Sequence, residues 1–217
     1  MRFLIFVGSE RDSTPPRPAR LGLRVAKACE KRLTKSEVEF TTIDPLQIEL
    51  PSPFKPHFSY ARGRAPEQLE ELADKISNAD GYVMVSPEYN HSMSPALAHL
   101  LNHFGSSLFS YKPSAIVTYS AGQWGGARAA VNMRTYLSEL GCLPVSAMIH
   151  VPKAQEVFTE DGAYASGVDQ THWDTYLDRT IKQLIWWGSA AKEQRQTGSA
   201  EAPEAFTKTP SQRNAPG

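Results

Sequence analysis

The sequence has only two cysteines, Cys29 and Cys142, far apart. That excludes a disulfide framework and reads as two ordinary thiols. Net charge is zero, with 23 basic and 23 acidic side chains. No broad attraction to nucleic acid or to an anionic membrane follows from that balance. No apolar run reaches the roughly 18 residues of a membrane span. The first apolar run, Phe3 to Val7, is too short for a secretory leader, which needs about 7 residues or more. The expectation is a cytoplasmic protein. There is no GxGxxG, no GxxxxGK[ST], no internal repeat and no metal-ligand spacing among the six histidines. His99 and His103, four apart on a predicted helix, read as surface or interface residues.

What is present is an alternation of apolar runs and helical periodicities. Phe3–Val7 is a buried strand ending in Gly8-Ser9. Leu21, Val25, Ala28 and Cys29 place a helix over about 19–33. Further strands are expected at 37–43, 81–85, 113–119 and 143–150. Helices are expected from Pro66, from Pro95, after Gly126, and over 168–191. Phe54, Phe58 and Tyr60 mark the irregular stretch after the second strand as packed. Strand–helix alternation predicts a parallel sheet covered on both faces. Five strands fit an α/β, flavodoxin-like, doubly wound sheet of order 2-1-3-4-5. Residues 1–191 form this one domain. Residues 192–217, rich in Ala, Glu, Thr, Pro, Ser and Gln, read as a flexible tail.

In such a sheet, ligands bind outside the carboxyl ends of the strands, where the strand order reverses. Strands one, three and four are neighbours there, so their loops converge. The first loop, Gly8 to Thr14, offers hydroxyls, amides and Arg11 at a helix start, with Arg17 and Arg20 within reach. Amides and guanidinium groups favour a phosphate. The second, Pro87-Glu88-Tyr89-Asn90, offers polar edges and an aromatic wall to a flat heterocycle. The third, Ser120-Ala121-Gly122-Gln123-Trp124-Gly125-Gly126, allows close backbone approach. A phosphate grip beside two flat-ligand loops describes a mononucleotide with a planar ring, and FMN fits that description.

Gly8-Ser9-x-Arg11, Ser86-Pro87-Glu88-Tyr89-Asn90 followed by Ser94-Pro95, and Ser120-x-Gly122-x-x-Gly125-Gly126 together resemble the NADPH-dependent FMN reductases. That flavodoxin-like group includes azoreductases and quinone reductases. The resemblance covers residues 2–151. It implies that Ser9 and Arg11 bind the FMN phosphate, with Ser13 further along the loop. It places Pro87, Glu88, Tyr89 and Asn90 at the isoalloxazine and ribityl region, and Ser120, Ala121, Gly122, Gln123 and Gly125 at the other edge. The sequence departs from the family at Thr14-Pro15-Pro16-Arg17-Pro18, a proline-rich insertion. The phosphate arginine is therefore Arg11, Arg17 or Arg20.

The resemblance further implies NADPH or NADH as reductant, a small acceptor (quinone, azo compound, flavin or dioxygen) and a homodimer or homotetramer. No protein nucleophile is needed, because the flavin carries the chemistry. His91, beside the second loop, either lines the acceptor pocket, donates a proton or is a solvated loop residue. Two other readings stand beside the reductase: a flavodoxin-type electron carrier, and a non-catalytic module using its proline-rich segments to dock partners.

Overall fold

The computed structural model describes residues 1–12, 20–198 and 201–207. Strand β1 (Arg2–Val7) leads to helix α1 (Leu21–Lys35) and strand β2 (Glu39–Ile43). Then come α2 (Glu67–Asn78), β3 (Gly81–Pro87), α3 (Pro95–Asn102), β4 (Pro113–Tyr119) and α4 (Ala127–Glu139). The chain continues through β5 (Leu143–Pro144), β6 (Ile149–Val151), the single turn α5 (Ala154–Val157), α6 (Gln170–Thr197) and the single turn α7 (Glu204–Thr207). The sheet order is β2-β1-β3-β4-β5, all parallel, with β6 also on β4.

Every residue of β3 and β4 is buried, as expected of parallel strands covered on both faces. Alternation splits their side chains into two cores. Phe3, Ile5, Val7, Val83 and Val117 pack against α1 and α6. Leu4, Phe6, Tyr82, Met84 and Ile116 pack against α2, α3 and α4. The sheet is thus doubly wound. Cys29 and Cys142 are free and buried, and burial pushes both thiols up to about 12. Among the described residues no helix is long and apolar enough to cross a membrane.

Three expectations are corrected. The fifth strand is not continuous over 143–150. Val145 N still donates to Ser114 O, but Arg134 takes the carbonyls of Val145 and Ser146. Arg179 takes that of Met148, and Gln183 accepts from Ala147 N. Side chains satisfy the backbone there, so no ladder forms until Ile149.

The last helix runs to Thr197, past Ala191. Lys192 Nζ and Arg195 Nη2 donate to Asp80 at 3.2 and 3.0 Å, and Phe206 stacks on Tyr111. His103 is fully buried, with Phe54 against it, while His99 stays exposed. After β2 the stretch is packed as expected, with Tyr60 against the core and His57 tied to Glu70 and to the His103 carbonyl, but Phe54 and Phe58 themselves stay largely exposed.

Below the sheet, buried Lys112 closes the carboxyl end of α2. Its ammonium donates to the carbonyls of Ile76, Ser77 and Leu108 at 2.8, 2.7 and 2.9 Å. Burial pushes its pKa down to about 8, and it stays charged at neutral pH. Lys112→Met leaves these carbonyls without their donor. Urea unfolding should show a loss of about 2 kcal/mol; an unchanged midpoint would mean water replaces the ammonium at no cost.

Candidate functional site

The three loops meet because their strands are adjacent. Gly8 N donates to Val85 O at 2.7 Å, which joins the end of β1 to β3. Ser94 Oγ donates to Gly8 O at 2.6 Å and accepts from Leu97 N, so it caps α3 while holding the first loop. Ser86 Oγ accepts from Ser94 N at 3.0 Å. Both serines are therefore buried structural groups, not ligand-facing ones: Ser94 ties the second loop to the first, and Ser86 holds Ser94 within the second. Glu88 N continues the pairing by donating to Tyr119 O at 3.2 Å.

A cavity of about 260 Å³ opens at this junction. Ser9, Arg11, Arg20 and Leu21 line one side, Pro87, Glu88 and Tyr89 a second, and Tyr119, Ser120 and Ala121 a third. A larger recess of about 610 Å³ lies at the opposite, amino ends of β1 and β2, beside α2. It gathers none of the three loops, so the smaller cavity is the candidate site.

The arginines differ in what they do. Arg20 is 5% exposed. Its guanidinium forks onto Asp44 at 2.5 and 2.7 Å and also donates to the Ser9 carbonyl. Its charge is committed to a buried pair that shapes the first loop. Arg11 is exposed and lines the cavity, and among the described residues its guanidinium has no ion-pair partner. Ser9 is buried, with its hydroxyl accepting from Arg11 N at 3.3 Å. Ser13 and Arg17 lie outside the described residues.

On the second loop, Pro87, Glu88 and Tyr89 face the cavity, but Asn90 does not line it. The turn is closed by reciprocal backbone bonds between Tyr89 and Ser92. Glu88 Oε1 lies 2.7 Å from His91 Nδ1, and Oε2 is buried without a partner.

On the third loop, Ser120 Oγ donates to Gly122 O and accepts from Gly125 N, so its hydroxyl shapes its own loop. Thr118 Oγ1 donates to Gly125 O at 2.9 Å. Gly125 and Gly126 have φ of 60° and 81°, where glycine is favoured, and they turn the chain into α4. Ser120 and Ala121 line the cavity; Gly122, Gln123 and Gly125 do not.

Two lining residues went unread in the sequence, Leu21 and Tyr119. Tyr119 is the last residue of β4, and the strand-end rule was the signal that pointed to it. Burial pushes its hydroxyl above the usual range, opposed by Ser9, Arg20 and Arg11. Its ring reaches over α1, where Gly22 makes room: a Cβ there would sit 2.5 Å from the Tyr119 hydroxyl.

The donor set fits a flavin mononucleotide. One side offers a guanidinium with no ion-pair partner among the described residues, a hydroxyl and the start of α1 to an anion. The other offers proline, tyrosine and alanine to a flat ring, with an unpartnered carboxylate oxygen as acceptor for a ring N–H.

A family model described as NADPH-dependent FMN reductase matches residues 1–156. Among curated proteins, the chain is 36% identical over 72 residues to an "NADPH azoreductase" of Bacillus sp. (strain OY1-2), covering 33% of this chain and 40% of that protein. It is 34% identical over 107 residues to an "NAD(P)H-dependent FMN reductase" of Pseudomonas aeruginosa, covering 48% and 57%. Over a longer span, 163 residues, it is 30% identical to "Probable NADPH:quinone oxidoreductase 1" of Oryza sativa subsp. japonica, covering 74% and 77%. The chain thus spans under two thirds of the first two relatives. Among solved structures, it superposes on FerB, a flavoenzyme NAD(P)H:(acceptor) oxidoreductase from Paracoccus denitrificans. The TM-score is 0.64 and the identity 21%, covering 87% of this chain and 97% of that one. That likeness concerns the fold.

Proposed function

This chain belongs to the NADPH-dependent FMN reductase family, and from that premise we propose that it passes a hydride from NAD(P)H through bound FMN to a small acceptor. The acceptor is a quinone, an azo compound, a free flavin or dioxygen. One observation carries the reading: three loops from adjacent strand ends line one cavity, with an exposed arginine on one side and a flat, aromatic wall on another.

Arg11 and Ser9 would hold the phosphate, with Ser13 and Arg17 completing that loop. Arg20 supports it from behind. Pro87, Glu88 and Tyr89 would take the ring and ribityl chain; Asn90, expected with them, lies outside the cavity lining. Ser120 and Ala121 would take the opposite edge; Gly122, Gln123 and Gly125, expected with them, belong to the same loop but not to the cavity lining. Bound there, FMN supplies two-electron chemistry that no side chain here provides. The protein's part is to orient. Arg11 would neutralise the phosphate and Tyr89 and Pro87 would fix the ring plane, while buried Ser94, itself held by Ser86, ties the second loop to the first.

Self-association into a dimer or tetramer is part of the proposal. Trp124 and Val131, on the third loop and α4, are 61% and 65% exposed and would supply apolar surface to such a contact. Two reduced, buried cysteines suit a cytoplasmic setting.

The test is an absorbance spectrum of the purified protein. It should be yellow, or become so with added FMN, and bleach anaerobically with NADPH. Steady NADPH oxidation in the presence of a small quinone separates a reductase from a flavodoxin-type carrier. A colourless protein that binds no FMN sinks the reading.

A further inference from the structure

Asn90 and His91 both have left-handed backbones, with φ of 51° and 63°, and neither is glycine. Two such residues in succession cost about 2 kcal/mol or more. The strain is held by the Tyr89–Ser92 backbone bonds, and its result is the placement of His91. The imidazole is fixed on one side only: Nδ1 lies 2.7 Å from Glu88 Oε1. The Glu88 side chain is 12% exposed and lines the cavity, while His91, bonded to it, is 66% exposed and is not itself a lining residue. A nearly buried carboxylate of the cavity wall thus orients an exposed imidazole beside it. Among the described residues no histidine lines the cavity, and His91 is the one bonded to a side chain that does. His57 is tied to Glu70, His103 lies under Phe54, and His150 meets Thr118.

Resting on the oxidoreductase reading above, we propose that His91 donates a proton to the acceptor and that Glu88 is its positioning residue. Reducing a quinone to a quinol takes one hydride and one proton. The hydride's electron pair originates in NAD(P)H. The proton leaves His91 Nε2: that N–H bond breaks and an O–H bond forms on the quinone. The neutral ring keeps its Nδ1–H on Glu88 Oε1, and Nε2 regains a proton from water, to which the exposed ring is open. The sum is NAD(P)H + H⁺ + quinone giving NAD(P)⁺ + quinol. Glu88 selects the tautomer, as a carboxylate behind a catalytic imidazole does.

The experiment compares two acceptors on the FMN-loaded protein. A quinone needs the proton, whereas ferricyanide takes electrons alone. In His91→Phe the ratio of quinone to ferricyanide turnover should fall by about 100-fold, the low end of general-acid effects. The ¹⁵N spectrum of histidine-labelled protein gives a readout apart from turnover. The neutral His91 ring should carry its proton on Nδ1 in the wild type, and lose that preference in Glu88→Ala. An Nε2–H tautomer in the wild type overturns the proposal. So does a ratio unchanged in His91→Phe while wild-type flavin still bleaches with NADPH. A wild type that NADPH never bleaches overturns the oxidoreductase reading itself, and the proton role with it.

Discussion

Arg20→Leu is expected to destabilise the FMN-free protein by about 3–5 kcal/mol, the cost of removing one partner from a buried ion pair. The pair is well enclosed: the Arg20 and Asp44 side chains are 4% and 11% exposed. Leucine leaves Asp44 charged and unpaired beneath the site, and it frees the Ser9 carbonyl that Arg20 holds. FMN binding is lost as a consequence of the first loop's collapse. Arg11→Ala should behave in the opposite way. Its guanidinium is exposed and makes no ion pair among the described residues, so urea unfolding of the FMN-free protein should change by less than about 0.5 kcal/mol. FMN affinity should still fall about 10- to 100-fold, the loss of a charge-assisted hydrogen bond of about 1.5–3 kcal/mol. Fluorescence titration with FMN and urea unfolding of both variants separate the roles. A stable Arg20→Leu protein that has lost FMN binding would make Arg20, not Arg11, the phosphate ligand.

Why Arg20 was open in the sequence and resolved in the structure shows where local pattern stops. Its partner, Asp44, sits beyond β2, 24 residues away, and no motif links them. The same holds at the carboxyl end. Lys192 lies in a polar stretch that reads as tail, yet Asp80, 112 residues earlier, holds it in a helix. The fifth strand failed for a related reason: Arg134, Arg179 and Gln183 take its backbone groups from other elements. By contrast, β3 and β4 were legible because full burial leaves a continuous apolar run. The site followed from them, since three strand ends fix where three loops must meet. Which side chains within a loop face the cavity was not legible. That depends on turns such as Tyr89–Ser92, which carry Asn90 away from it, and on the pleat that brings Tyr119 to it.

Gly8→Val tests the junction on which the cavity depends, and it should cost about 3 kcal/mol or more. A Cβ at Gly8 would lie 2.5 Å from Val85 O, 3.2 Å from Ser86 Cα and 3.1 Å from Leu97 Cβ. Two of those atoms are backbone of the central strand and cannot rotate aside. The same residue donates to Val85 O and accepts from Ser94 Oγ, so pushing it outward breaks both ties between the first and second loops. Stability and FMN binding should therefore fall together. Gly122→Ala supplies the contrast, because nothing lies within 4 Å of the added methyl and the backbone there is not left-handed. Its FMN-free stability should stay within about 0.5 kcal/mol of wild type. Weakened FMN binding in that variant then reports the approach of the ligand to the third loop, with no contribution from folding. A Gly8→Val protein as stable as wild type would mean that the ends of β1 and β3 are not this close. The shared cavity, and the FMN site built on it, would fall with that contact.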